Sequence, residues 1–390
     1  MSLIYFDHAA STPVRPEVVE AMLPYFTEHF ANPSSVHVPG QRAKKGLEDA
    51  RESVAACLGA KPGEIFFTSG GTESDNLGVR GVAYANRQRG KHVITSAIEH
   101  RAVLNTCLSL ADEGFEVTTL PVDRSGAVEV EALKQAIRPG TVVVSVMLAN
   151  NETGVLQPLR EIARITRERG IAFHTDAVQG VGKMPVNVDE LGVDLLSIAA
   201  HKFYGPKGVG ALYVRDGVEF EPILHGGHHE RSKRPGTQNV AGAAGLAKAL
   251  EMVTAELVEA PARLAALRDR LERGILQQIQ QTRVNGHPER RLPNILNMSF
   301  EDIEGAGVLI ALDAQGIAVS AGPACRSGAA EPSHVLKAMG VEAPVAVGAV
   351  RFSFGHGNTA AEVDHVLEVL VGAVQDLREH SPLKTVETQE

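Results

Sequence analysis

Long apolar runs are missing from this chain. No stretch approaches the ~20 residues that a helix needs to cross a bilayer, so a helical membrane span is not expected. Clustered basic charge is missing too: 38 Lys and Arg stand against 47 Asp and Glu, a formal charge of −9. Nucleic acid is therefore not an expected partner. Cysteine is scarce, and Cys57, Cys107 and Cys325 lie far apart, which fits neither a disulfide framework nor a zinc pattern. A reducing cytoplasm is the expected compartment. The start, Met1-Ser-Leu-Ile-Tyr-Phe-Asp7, runs directly into a strand-like segment, so no signal peptide is expected. There is no internal repeat, and the Walker phosphate-loop pattern is absent, which disfavours a nucleoside triphosphate.

What is present is ordinary globular material of multidomain size. The 390 residues are 44% hydrophobic and 22% charged, which predicts two or three domains. Short β-branched runs at 65–68, 92–96, 115–120, 142–147, 172–176, 195–199 and 210–214 alternate with helical patterns, one of them at 159–169 closed by Gly170. Such alternation predicts an α/β fold, a mostly parallel sheet covered on both faces, with its ligand crevice at the carboxyl ends of the strands. Beyond Val240 a long helical stretch interrupted at Pro261 reads as a bridge. Strands at 295–300, 317–320 and 349–354, with helices at 305–314 and 359–378, predict a smaller α+β domain. The expected division is a large domain over 14–256, and a small one from 1–13 with 257–390.

Five of the predicted strand ends carry candidate chemistry. Asp176 and Gln179 follow one strand, and His201-Lys202 follows another. A lysine amine can condense with an aldehyde to a Schiff base, and an aspartate can keep a pyridine nitrogen protonated, the needs of pyridoxal 5′-phosphate. The run Thr68-Ser-Gly-Gly71-Thr72-Glu-Ser-Asp-Asn76 takes a strand into a helix start, where free amides and the dipole suit a phosphate. His100 follows another strand, where an imidazole can stack on a planar ring or move protons; a structural histidine is the plainer alternative. Asn150-Asn151 offers an amide to ring substituents or an ordinary turn.

Taken together, Tyr5-Phe-Asp-His-Ala-Ala-Ser-Thr-Pro13, the run at 68–76, the Lys202 segment, Ser320-Ala-Gly-Pro-Ala-Cys325-Arg-Ser-Gly-Ala-Ala-Glu-Pro-Ser333 and Arg351-Phe-Ser-Phe-Gly355 resemble the cysteine desulfurases of the NifS/IscS type, within the class V aminotransferase superfamily. The resemblance covers nearly the whole chain. It implies a fold type I pyridoxal-phosphate-dependent transferase, a homodimer acting on L-cysteine to give L-alanine. The sulfur would be held as a persulfide for an iron–sulfur scaffold or a tRNA-thiolation protein. By resemblance Lys202 carries the cofactor, Asp176 binds its ring nitrogen, Gln179 its phenolate oxygen, and His100 stacks on the ring. Gly71, Thr72 and His201 hold the phosphate, with Thr237 reaching in from a second subunit. Asn32, Asn151 and Arg351 orient the substrate, Arg351 gripping its carboxylate. Cys325 is the sulfur-accepting nucleophile, in a Gly/Ala/Ser-rich segment whose composition suits a mobile loop. Cys57 and Cys107 read as packing residues.

The chain departs from the family where Pro323 and Ala199 replace serines and Arg326 replaces a small or hydroxyl residue. It departs again where His225-Gly-Gly-His228-His229 carries histidine in place of a third glycine. No metal site is expected from those three histidines. Two other readings stand beside the desulfurase: a selenocysteine lyase or another class V aminotransferase-type enzyme, and a non-enzymatic sulfur-transfer platform. An aminotransferase has no use for Cys325, and a platform has no use for an electron sink at Lys202 and Asp176.

Overall fold

The computed structural model describes residues 3–321 and 332–381. Seven strands form the central sheet in the order Ile65–Thr68, Gly210–Val214, Leu195–Ala199, Ala172–Asp176, Thr141–Ser145, His92–Ser96 and Glu116–Leu120. The last five are parallel to one another, whereas Gly210–Val214 runs antiparallel to both of its neighbours. The exception has a local cause. Between Ala199 and Gly210 there is only a short 3₁₀ turn, Ala200–Lys202, and a parallel return needs a crossover of a dozen or more residues. All three of the central strands Thr141–Ser145, Ala172–Asp176 and Leu195–Ala199 are almost wholly buried, as strands sandwiched between helix layers must be.

The expected strand at 142–147 is shorter in regular form, but its pairing continues. The Val146 amide donates to His174 O at 3.1 Å and the Leu148 amide to Asp176 O at 2.8 Å. The expected strand at 317–320 divides at Val319. Ile317–Ala318 pairs in parallel with Ile4–Tyr5, while Ser320–Ala321 pairs antiparallel with Ala349–Ser353. Pro261 falls in the first turn of the helix Ala260–Gln278, where a missing N–H costs nothing, and the preceding helix Val240–Ala255 ends in a 3₁₀ turn.

Two kinds of core result. One lies against the large sheet, with Ile94, Val144, Phe173 and Ile198 on one face and a separate cluster of Phe66, Val93, Val143 and Leu212 on the other. Another joins Ile4 and Phe6 from the start of the chain to Leu271, Leu296, Phe352, Val366 and Leu370 near its end. Each large aliphatic or aromatic side chain so buried contributes about 1.5–3 kcal/mol relative to exposure. Among the described residues no helix is long and apolar enough to cross a membrane.

One backbone feature prepares the site. Ile65–Thr68 turns into the helix Gly71–Ala85 through Gly70, whose φ of 152° and ψ of −176° lie in a region that only glycine enters without strain. Nothing lies within 4 Å of a Cβ built there, so conformation rather than space requires the glycine.

Candidate active site

A cavity of about 360 Å³ opens at the carboxyl ends of the parallel strands. Gly71, Thr72, His100, Asn151, Asp176, Gln179, His201, Lys202 and Arg351 all line it. The structure thus brings nine of the predicted site residues together from six separate stretches of chain.

Lys202 Nζ donates to the carbonyls of Ala9 and Ala10, both at 2.8 Å. Burial, and then the nearby Arg351 guanidinium, push its pKa down to about 8, so the free amine is reached close to neutral pH. Asp176 ends its strand with Oδ1 accepting the Val178 amide at 2.9 Å. Burial raises its pKa, and His100, the Val178 amide and Lys202 pull it back. Gln179 donates to Ala9 O at 3.0 Å. His201 Nδ1 is 3.3 Å from Ser11 Oγ, and burial followed by Lys202 and Lys207 lowers its pKa to about 4, leaving a neutral ring. His100 caps the helix Arg101–Asp112 by accepting the Ala102 amide at 3.2 Å. Desolvation lowers its pKa, Lys202 acts the same way, and Asp176 opposes both.

Gly71 and Thr72 occupy the first turn of Gly71–Ala85, where amides have no intrahelical acceptor. The helix is tied down by Glu73, which accepts the Ser69 amide at 2.7 Å and pairs with Arg234 at 2.8 Å. Arg234 begins the loop that carries Thr237, which is exposed and lines no part of this cavity. Asn32 also stands apart, on an exposed segment where its Oδ1 accepts the Ser34 amide at 2.8 Å.

Arg351 joins this cavity to a smaller one of about 210 Å³, lined also by Asn151, Glu152, Asn297, Ser320 and His334. Its Nη1 donates to Asn151 O at 2.7 Å and its Nη2 to Asp7 at 2.8 Å, while Nε is buried with no hydrogen-bond partner. The guanidinium is therefore held in place on one side with donor capacity left over.

Cys325, Pro323 and Arg326 lie outside the described residues. The chain re-enters at Pro332, and Ser333 caps the helix His334–Ala338 by accepting the Val335 and Leu336 amides. The other two cysteines are poor nucleophiles. Burial pushes Cys107 up to about 12 and raises Cys57 as well.

The histidines of the 225–229 segment do not gather with other ligands. His228 Nδ1 meets Ser232 Oγ at 3.1 Å, and His229 accepts the Gly236 amide at 3.2 Å. What anchors this segment is Glu230, which composition did not mark. Its carboxylate takes two hydrogen bonds from Arg51, at 2.7 and 2.8 Å, and the Phe67 amide at 3.0 Å. That fork holds Glu230, Arg231 and Ser232 at φ of 43°, 54° and 65°, each costing of order 1–3 kcal/mol. Among the described residues, the grouping of possible metal ligands is instead Asp75, His100 and Asp176, inside the main cavity.

An aldehyde-reactive amine, a buried carboxylate opposite a histidine, and an anion-binding helix start on the walls of one cavity match the parts of pyridoxal phosphate. The donor set fits that cofactor better than a metal, because the wall of Gly71, Thr72 and His201 offers a phosphate amides, a hydroxyl and a neutral imidazole. Fold and site define a pyridoxal-phosphate enzyme of fold type I. The aminotransferase class-V family model matches residues 4–366, and the chain belongs to that family. It is 54% identical over 380 residues to cysteine desulfurase IscS of Methanosarcina thermophila, covering 97% of this chain and 94% of the relative. The same-named protein of Dictyoglomus turgidum is 50% identical over 381 residues, covering 98% of this chain and 97% of the relative. A solved NifS-like protein superposes with a TM-score of 0.91 at 41% identity, covering 96% of this chain and all of that one.

Proposed function

We propose that this chain is a cysteine desulfurase: it converts L-cysteine to L-alanine, and keeps the sulfur as a persulfide on Cys325 for an iron–sulfur scaffold or another acceptor protein. The observation that carries the reading is the placement of Lys202 and Asp176 on the walls of one cavity, with the Arg351 guanidinium at its junction with the smaller one. A platform that only bound sulfur acceptors would gain nothing from that arrangement.

Pyridoxal phosphate, when bound, supplies an electron sink for the α-carbon. Gly71, Thr72 and His201 would hold its phosphate, Asp176 its ring nitrogen, Gln179 its phenolate oxygen, and His100 a ring face. Arg351 holds the substrate carboxylate, and Asn151 shares that wall. Lys202 Nζ, as the free amine, takes the proton from the substrate α-carbon and later returns one. The Cys325 thiolate attacks the substrate sulfur, so that an S–S bond forms as the C–S bond breaks. Support for Cys325 comes from sequence and from its flanks: Ser320 and His334 both line the smaller cavity beside Arg351. Residues 14–256 form the large domain of this reading, and 1–13 with 257–390 the small one.

The reading is tested by supplying purified protein with L-cysteine or L-selenocysteine and measuring alanine with sulfide or selenide. Stoichiometric alanine and reducible sulfur from L-cysteine are expected. Turnover of L-selenocysteine alone would replace the desulfurase by a lyase.

A homodimer completes the proposal. Phe26, Phe30, Val36 and Val38 are 60%, 72%, 93% and 65% exposed within one short stretch of chain, apolar surface that a second protomer could cover. Thr237 is exposed and lines no part of its own cavity, as expected of a residue serving a partner's phosphate. Sedimentation at assay concentration should give a dimer, and Thr237→Ala should weaken cofactor retention in both sites. A fully active monomer would refute the shared site.

A further inference from the structure

Under the main cavity runs a buried polar chain that the chemistry above leaves unused. Ser145, His174, Ser197 and Asp75 are all at most 1% exposed. His174 Nδ1 meets Ser145 Oγ at 2.8 Å, and its Nε2 meets Ser197 Oγ at 2.9 Å. Asp75 Oδ1 lies 3.6 Å from that same Nε2 and has no hydrogen-bond partner. The residue comes from the helix Gly71–Ala85 and reaches the cavity wall. There a carboxylate oxygen of Asp75, one of Asp176 and a ring nitrogen of His100 lie within 4.8 Å of one another.

Two buried carboxylates this close do not both ionise unless a cation compensates each. The groups around them decide which keeps the proton. Asp176 has the Val178 amide at 2.9 Å, and both His100 and Lys202 favour its anion. Asp75 also lies within 4.8 Å of the His100 ring nitrogen, but only a hydrogen bond from the Ser197 hydroxyl favours its anion. Burial holds His174 down to about 3, so its imidazole is neutral. Glu99, also buried, keeps its proton up to about 8 and lends no positive charge. Burial first, and the Asp176 charge second, move Asp75 far toward the acid form, against the pull of the Ser197 hydroxyl.

We propose that Asp75 is a positioning residue, a carboxylic acid that stays protonated and supports Asp176 from below, so that a single negative charge faces the cofactor ring. Its consequence for the ring rests on the cofactor reading of Asp176, but the location of the proton does not. A neutral neighbour keeps Asp176 fixed and ionised, whereas a second carboxylate would pull a proton onto it.

Infrared spectroscopy on the full chain with isotope-labelled aspartate tests this, with and without pyridoxal phosphate. A protonated carboxyl band should persist from about pH 6 to about pH 9, well above the usual carboxylate range. The band should survive Asp176→Asn and vanish in Asp75→Asn. Asp75→Asn, a neutral isostere, should leave the cofactor dissociation constant and the pH response of its absorption band unchanged. Asp75→Ala should weaken cofactor binding about tenfold or more, as loss of supporting contacts around a site usually does. A band absent from the parent protein at neutral pH, or lost with Asp176→Asn and kept with Asp75→Asn, overturns the proposal. So does a tenfold loss of affinity in Asp75→Asn. If the band behaves as expected in protein that binds no cofactor, Asp75 stands as assigned and the cofactor reading of Asp176 falls instead.

Discussion

Lys202→Ala should lose L-cysteine turnover by on the order of 10⁴-fold or more, the scale met when one member of a group that acts as a unit is removed. In the proposed function the same amine both captures the cofactor aldehyde and moves the α-proton, so no neighbour would inherit either task. Lys183 is the nearest conceivable substitute, but its Nζ is committed to Lys202 O at 2.7 Å. Lys202→Arg should fail nearly as badly, since a guanidinium keeps the charge and does not give up its proton. A pH dependence follows from the depressed Lys202 pKa. The ammonium persists below about 8 and the free amine above it. Capture of pyridoxal phosphate by cofactor-free protein should therefore accelerate as pH rises through that value and then level off. Absorbance of the bound cofactor follows the capture, and an alanine assay follows turnover. A Lys202→Ala protein that turned over cysteine at the parent rate would remove this lysine from the chemistry.

Cys325→Ser should release little alanine and form no persulfide, while binding cofactor and substrate as the parent does. A hydroxyl at its ordinary acidity is a far weaker nucleophile than a thiolate, and activating it needs a base poised beside it. The two described cysteines cannot compensate, because burial keeps both as thiols. Arg326, always protonated, is expected to lower the Cys325 pKa if its side chain turns toward the sulfur. Pro323 fixes one φ angle on the approach and is expected to slow delivery. Mass spectrometry of the persulfide, with alanine release measured alongside, decides the matter. Alanine at the parent rate from Cys325→Ser would defeat the desulfurase assignment and favour a lyase or a transaminase.

Much of the fold was legible because its signals are local. Each central strand is a short run whose burial on both faces leaves no alternation to interpret, and the glycine at position 70 marks the turn into the helix Gly71–Ala85. Lys202, Asp176 and His100 could be picked out because each follows a strand directly. Topology was less legible. The antiparallel Gly210–Val214 looks like its neighbours in composition, and only the ten-residue connection before it gives the direction away. Asp75 was hidden for a different reason. In sequence it is a polar residue early in a helix, and its meaning comes from Asp176, a hundred positions later. Glu230 was masked by the histidines beside it, although the charge that holds the segment is its own. Thr237 and Asn32 are exposed and line no part of the cavity, so the geometry of one chain does not tie them to it.

The Lys202 ammonium rests on carbonyls from residues 9 and 10, and Arg351 is braced by Asp7. The Ala9 amide donates to Ser353 Oγ at 2.9 Å, a contact spanning 344 positions. These links make the pocket a late product of folding. Residue 9 must wait through synthesis of those 344 positions before the strand Ala349–Ser353 exists to receive it. Loop-closure entropy rises only slowly with such a span, but folding rates fall with the sequence separation of native contacts. A nascent chain can therefore complete its large parallel sheet on the ribosome while the catalytic wall is still open on one side. The wall is complete only once residues 7–10 meet the strand Ala349–Ser353.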